Sequence, residues 1–425
     1  MLALFLISLF GFVLVSVPIA FALILTSLVL ATFINQVSAP LLIQNIVRGI
    51  DSFPLLAIPF FLLAGEIMNT GGISRRIVVF ARAIIGHIKG GLGYVNVLAS
   101  MLFAGVSGSA VADTASIGSM LIPLMEEEGL EKEASAAITI ASSVIGPIIP
   151  PSIPMIIFGV IGNVSIVRLF LGGIIPGVLI GFGLMIGWYI HCRKRDYRAE
   201  GRFSLLGVFG AFFDAFWAMV LPAIILGGII FGVFTPTEAG VVAVVYAFLV
   251  SIFIYKELKL TDLPRLFVST ARNTAIVMLV CGSALAAGYY ITIAQIPALL
   301  SNALLALAGD NRFILMLVIN ILLLLVGCVL DLTPALLIMG PMLLPIVTKF
   351  GIDSVYFGCV MVVNLCIGLI TPPVGNVLYV GCSISKLTVA QLAKAVAPYI
   401  LIEVAVLFII TYVPGAITFI PSLLK

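Results

Sequence analysis

The sequence predicts an all-α polytopic membrane protein with two inverted-topology repeats, each holding a re-entrant helical hairpin and a broken transmembrane helix. Three observations carry this prediction. First, the chain of 425 residues is 62% hydrophobic and 9% charged, with a mean hydropathy of +1.31, whereas soluble domains carry about 25% charged residues. Second, the apolar runs VGCVLDLTPALLIMGPMLLPI and MVVNLCIGLITPPVGNVLYVG, between Val326 and Gly381, are interrupted by Asp331, Thr333-Pro334, Asn364 and Thr371-Pro372-Pro373. Proline removes a backbone donor and blocks the helix ladder, and backbone freed at membrane depth must be buried in protein or line a cavity. Third, the stretch from Ala104 to Gly159 carries the same breaks at one constant offset of 222. Gly105 falls on Gly327, Gly118 on Gly340, Pro123 on Pro345, Gly146 on Gly368 and Pro150-Pro151 on Pro372-Pro373, with no gap. Glycines and prolines match by accident far less readily than Leu or Ile, so the pattern indicates a duplication. Paired interrupted segments are the sequence pointer to a transporter binding site.

In chain order, residues 1–203 form the first repeat, 204–234 a linking span and 235–425 the second repeat. Residues 2–33 are expected to be one long span rather than a cleaved signal, because no basic segment precedes them. A connector follows from Asn35 to Asp51, then the span SFPLLAIPFFLLAGEIMN. GGISRRIVVFARAIIGHIKGG is amphipathic and basic, which suits a helix lying along the interface. Hairpin 1 covers about 94–125, because AGVSGSAVADTASIGS has poor helix propensity at mid-depth. The broken helix of about 133–163 breaks at GPIIPPSIP, and a span from Arg168 to His191 follows. The loop after it holds Arg193, Lys194, Arg195, Arg198 and Arg202, which places it in the cytoplasm. Leu206 to Phe234 is the linking span. A single linking span turns the second copy over, so the two hairpins enter from opposite faces. The second copy has a span to Tyr255, a span from Thr270 to Ile293, an interfacial piece from Pro297 to Asp310, hairpin 2 at about 313–348, a broken helix at about 354–381 and a last span from Ala395 to Ile417. The length allows about ten to twelve spans of roughly 20 residues each.

Ion-coupled transport needs oxygen ligands inside hydrocarbon. Unwound backbone supplies carbonyls for a hard cation such as Na⁺, and half-helix N-termini face anions. The first candidate region is Ser107, Gly108, Ser109, Asp113 and Thr114 at the tip, with Ser142, Ser143, Gly146, Pro147 and Pro150 at the break. The second is Gly327, Asp331 and Thr333, with Asn364, Gly368, Thr371, Pro372, Gly375 and Asn376. At the repeat offset Ser109 falls on Asp331 and Ser142 on Asn364, so each tip offers an oxygen opposite a polar residue of the break. A charged side chain at the bilayer centre costs about 3 kcal/mol on insertion scales, so an idle Asp113 or Asp331 is not expected; Asp113 also suits a cap for the second half-helix. Glu66 and Glu238 suit an interfacial structural role equally well, Arg272 is expected to snorkel, and Ser100, Ser116 and Thr139 to bond their own helices. Single glycines and prolines are ordinary kinks or packing contacts; the duplication is what raises them above that.

The sequence has no nucleophile–base pair, metal-ligand cluster or P-loop, so neither an enzyme nor ATP hydrolysis is expected. Basic residues sit in loops, which fits membrane topology and not nucleic-acid binding. His87 and His191 fall in basic interfacial stretches and are expected to be solvated, and the six cysteines are spread through apolar segments as packing residues.

At five ordered motifs, GIDSFPLLAIPFFLLAGEIMN, SGSAVADTASIGSMLIP, IGPIIPPSIP, FTPTEAG and CIGLITPPVGNVLYV, the sequence resembles the large membrane subunit of tripartite ATP-independent periplasmic (TRAP) transporters, from about residue 10 to 415. That resemblance implies an elevator-type transporter of the bacterial inner membrane, coupled to two or more Na⁺ ions and independent of ATP. It implies two partners besides the lipid bilayer: a small four-span membrane subunit and a soluble periplasmic substrate-binding protein. The substrate would be an organic acid such as a C4-dicarboxylate, a sialic acid or a 2-oxo acid. The family's Na⁺ and substrate region falls on the two tips and the two Pro-Pro breaks named above. The chain leaves no room for a fused small subunit before its first span, so a separate partner is expected. Two rival classes remain: a stand-alone Na⁺/dicarboxylate or anion symporter of related inverted-repeat fold, and a channel or scaffold. Polar residues gathered at two mid-membrane points suit occlusion better than a continuous pore.

Overall fold

The computed structural model describes all residues except 196, 198–202, 310 and 424–425. Arg198 and Arg202 of the basic loop, and Asp310, therefore lie outside the described residues. Among those described, the secondary structure is helical throughout.

The N-terminal third differs from the sequence expectation in two places. The expected single span over residues 2–33 is two helices, α1 (Leu2–Leu14) and α2 (Ile19–Phe33), which pack on each other. Ser16 between them is left-handed, with φ 64°, and Pro18 has no N–H to continue the ladder. The expected connector holds a helix, α3 (Ala39–Ile50), because Ser38 caps it by accepting from the Leu41 N–H at 3.4 Å and Pro40 occupies its first turn. A 3₁₀ turn at Phe53–Leu56 leads into α4 (Ala57–Thr70), and α5 (Ile73–Ile85) carries the amphipathic basic stretch.

The next five helices are α6 (Gly91–Ser107), α7 (Ala110–Glu127), α8 (Lys132–Ser143), α9 (Ile153–Gly162) and α10 (Ile166–Arg193). Helix α11 (Leu205–Ile230) links to α12 (Pro236–Leu249), which ends in a π turn through Ile254. Then come α13 (Leu263–Ile293), seven residues longer at its start than expected, and α14 (Ile296–Ala308). The remaining helices are α15 (Arg312–Gly327), α16 (Leu332–Lys349), α17 (Ser354–Gly368), α18 (Asn376–Ser385), α19 (Val389–Tyr412) and α20 (Gly415–Ser422). The expected last span to Ile417 thus stops at Tyr412, before Pro414. Starts of helices recur at the 222 offset: α7 and α16 begin at 110 and 332, α8 and α17 at 132 and 354.

Seven helices among the described residues are long and apolar enough to cross a membrane. This is below the ten to twelve that length allows, because the segments flanking the breaks are short. Helices α2, α3, α4, α12 and α13 pack against one another, and α5 lies between α11 and α6. Helices α6–α10 and α15–α20 pack as a second group, with α19 against α8 and α10. Trp188 pins α10 to the start of α6: its indole N–H donates to the Gly90 carbonyl at 2.9 Å, and it is fully buried against Gly93. His191 is not solvated as the sequence suggested. It is half-buried in a cluster of three rings with Trp188 and Tyr197 and bonds the Tyr197 hydroxyl at 3.2 Å. Glu238 is the N3 member of a capping box with Thr235, which gives it a structural role.

Candidate functional site

Helices α6 and α7 pack against each other across a two-residue turn. Gly108 there is left-handed with φ 59°, a conformation that costs a residue with a Cβ. Ser109 caps α7, accepting from the Ala112 N–H at 3.4 Å. The turn is pressed onto the break between α8 and α9: a Cβ on Gly108 would lie 2.7 Å from the Pro151 carbonyl oxygen. Asp113, one turn into α7, is completely buried. Its Oδ1 accepts from Ser107 Oγ, which itself accepts from the Ser109 N–H at 3.3 Å. Its Oδ2 has no hydrogen-bond partner and lies against Gly146, where a Cβ would come within 3.1 Å of the Asp113 Cγ. Gly146 and Pro147 sit in the unwound turn, and Pro147 offers its carbonyl to Ser152 Oγ at 2.5 Å. Pro150 and Pro151 are buried, and Ser152 caps α9 through the Met155 N–H.

The remaining first-region residues point elsewhere. Ser142 Oγ donates to Asn96 Oδ1 at 3.1 Å and accepts from Ser100 Oγ at 3.0 Å, and Asn96 also donates to Thr139. Ser143 and Thr114 bond the carbonyls of Ile140 and Ala110 on their own helices. Thr139 bonds its own helix at the Ser135 carbonyl, as expected, whereas Ser100 turns to Ser142 instead, and Asn96 was not singled out in the sequence. Their signal was there: Asn96 and Ser100 are four apart in one helix, and so share a face.

The second region repeats the backbone arrangement with other closures. Helices α15 and α17 cross at two glycines: a Cβ on Gly368 would lie 2.7 Å from the Gly327 Cα, carbonyl carbon and oxygen. The Cys328 carbonyl accepts from the Val374 N–H at 3.1 Å, which ties tip to break. Asp331 stands at the N-terminus of α16, exposed, beside the Leu332 N–H and the Asn376 side chain, and without a side-chain cap to that helix. Thr333 is half-buried in the first turn. Thr371 bonds the Ile367 carbonyl at 2.7 Å, Pro372 and Pro373 are exposed, and Gly375 is left-handed at φ 46° before Asn376 opens α18. Asn364 is buried and donates to the Asn320 backbone and side-chain oxygens at 3.0 and 2.9 Å, leaving its own Oδ1 without a partner. Asn320 in turn donates to Thr411 Oγ1 at 3.0 Å.

A cavity of about 450 Å³ opens on the first tip, lined by Ser107, Ser109 and Ala112 on one side and by Glu66, Asn69 and Asn273 on the other. Glu66 accepts from Ser269 at 2.9 Å, and Asn69 accepts from Ser116 of α7. The cavity therefore lies between the α4–α13 wall and the hairpin tip.

Residues 6–416 match the family model of the DctM component of tripartite ATP-independent periplasmic transporters. The chain belongs to this family. A TRAP transporter large permease protein of Haemophilus influenzae is 46% identical, covering 97% of both chains. The 2,3-diketo-L-gulonate TRAP transporter large permease protein YiaN of Escherichia coli is 42% identical over the same shares. Among solved structures, the Alcanivorax borkumensis YdaH transporter, described as having an unusual topology, aligns with a TM-score of 0.63 at 14% identity, over 88% of this chain and 86% of that one. That likeness concerns the fold alone. As a DctM-family permease, the chain is a multi-pass inner-membrane transport protein and not an enzyme.

Proposed function

We propose that this chain carries out Na⁺-coupled uptake of an organic carboxylate, delivered by a periplasmic binding protein, with a small membrane subunit as its partner. The observation that carries the sodium assignment is Asp113: a fully buried carboxylate whose free oxygen lies against Gly146 in an unwound turn. Charge at that depth needs a counter-charge, and no Lys or Arg lies in the two tips or the two breaks. A hard cation held by Asp113 and the carbonyls of the turn supplies it. The second region offers Asp331 and Asn376 beside the exposed Pro372-Pro373 turn. The N-termini of α16 and α18 carry no side-chain cap and offer the positive ends of their dipoles to a carboxylate.

Sodium at the first tip fixes the α6–α7 turn that forms one wall of the cavity, so ion and substrate raise each other's affinity. The loaded group of helices α6–α10 and α15–α20 then moves against the α2–α4 and α11–α13 wall, as an elevator. The family's description as tripartite supports the two partners; YiaN is named for a sugar acid, which supports a carboxylate substrate. The test is reconstitution of the membrane complex in proteoliposomes with radiolabelled organic acids under an imposed Na⁺ gradient, with and without soluble binding protein. Uptake that needs both inward Na⁺ and the binding protein is expected. Uptake of free substrate without the soluble protein favours a stand-alone symporter, and Na⁺-independent conductance favours a channel.

A further inference from the structure

Glu403 lies midway along α19, fully buried, and neither carboxyl oxygen has a hydrogen-bond partner among the described residues. It bonds no residue of either tip or break. Sodium would need several oxygens around it, yet α19 is unbroken here and Glu403 sits in a stripe with Val396, Tyr399, Val406, Leu407 and Ile410. A proton needs one lone pair and removes the charge at once. A bare carboxylate in such surroundings is disfavoured far more strongly than its neutral form.

The neighbouring helices bring no cation to it. On α8, Lys132 and Glu133 stand in the first turn, at the far end from the break. On α10, Arg168 lies at the start, and Tyr189, His191, Cys192 and Arg193 at the end. The titratable groups of α17 are Tyr356, Cys359 and Cys366, and those of α18 are Tyr379 and Cys382. Of these, Cys366 is fully buried and carries no positive charge. Helix α20 contributes none, and Lys394, Tyr399 and Tyr412 are the others on α19.

A second observation lies beside the group. A cavity of about 520 Å³ runs between α10 and α19 from a polar mouth at Glu131, Glu133, His191, Lys194, Arg195 and Lys394 down to Tyr399 and Ile402, the residue next to Glu403, which does not itself line it. Tyr399 precedes Glu403 by one turn on the same buried face.

We propose that Glu403 is a proton site, loaded and emptied through the α10–α19 cavity, and that transport by this chain has a proton term beside its sodium term. Loading transfers one proton from water to one carboxylate oxygen, and the group passes from one negative charge to none. The proton site stands on Glu403 and its cavity; its link to transport rests on the sodium-coupled function proposed above.

The test uses the full chain in its membrane complex in nanodiscs, with no substrate. Infrared difference spectra across a pH series should show a protonated-carboxyl band that Glu403→Gln loses. Addition of Na⁺ in weak buffer, read by a pH dye, should change bound protons by up to about one per chain, and Glu403→Gln should abolish that change. If Glu403→Gln fails to fold, Glu403→Asp serves, with the band shifted in frequency and in titration. No band lost in either variant overturns the proton site. A band that is lost, with Na⁺ binding by calorimetry but no proton change, shows a static proton and overturns the coupling. If Na⁺ does not bind at all, the sodium-coupled function fails and the coupling with it, while the band still decides the proton site.

Discussion

At the first break the helix starts are capped by Ser109 and Ser152, the prolines are buried, and the one aspartate is sealed inside. At the second, the same offset puts Asp331 where Ser109 stands, the prolines face outward, and neither α16 nor α18 has a side-chain cap. The backbone plan is shared, but its closure is not. A capped, buried break with one orphaned carboxylate oxygen has the form of the cation cage proposed above. An uncapped, exposed break leaves donors and a charge available to something that arrives from outside. The difference teaches that segments matching at one offset can keep a backbone plan while differing in burial and capping.

The largest effect should separate the two crossings. Gly368→Ala drives a Cβ into the Gly327 backbone at 2.7 Å, and backbone cannot swing away. Overpacking of this kind costs about 1–3 kcal/mol, and the folded, monodisperse protein should be largely lost on size-exclusion chromatography. Gly146→Ala meets the Asp113 side chain first and backbone only at the Ser143 carbonyl, 3.2 Å away, so it should fold yet lose uptake. Equal yields for both variants would erase the distinction.

Next in size is the pair of aspartates. Asp113→Asn should raise the Na⁺ concentration for half-maximal uptake by about 100-fold, and Asp331→Asn by about tenfold, within the range of coupling energies. If Asp331→Asn keeps wild-type uptake and Na⁺ affinity, the second region does not hold the ion.

Removing the cap in Ser152→Ala should cost about 1 kcal/mol, seen as a lower melting temperature. Asp331→Ala removes no such cap and should leave the melting temperature nearly unchanged; equal losses would contradict the capped-versus-uncapped contrast. The smallest effect is one of access. In a chain whose other cysteines are replaced, half-exposed Cys328 at the second tip should react with an aqueous maleimide, and Na⁺ should slow it. A cysteine placed at the buried Pro150 should stay unreactive in both conditions.

Much of the backbone plan could be read directly from residue type. Proline and glycine act through the chain's own sterics, so GPIIPPSIP and GLITPPVG announce their breaks wherever they fold. Ser16 and Pro18 gave the same kind of warning, but in so apolar a stretch the hydropathy outweighed them, and two helices were read as one span. Side-chain partners were less legible. The offset pairs Ser109 with Asp331 and Ser142 with Asn364, yet Ser142 turns to Asn96 and Ser100, and Asn364 turns to Asn320. Such choices depend on which helix lies alongside, and a one-dimensional spacing does not state that. Glu403 was missed because a single glutamate in a final span resembles an interfacial one until its depth and neighbours are known.

By itself, the sequence determined that the chain is a helical membrane protein, where its helices snap, and that the snapping occurs twice at a fixed offset, because those outcomes follow from local sterics and from the cost of charge in hydrocarbon. Tertiary structure alone decided which break is sealed and which is open, that the Asp113 oxygen faces Gly146, and that Glu403 has no partner. Burial and hydrogen-bond satisfaction belong to the packing of helices far apart in the chain, and only their assembly sets them.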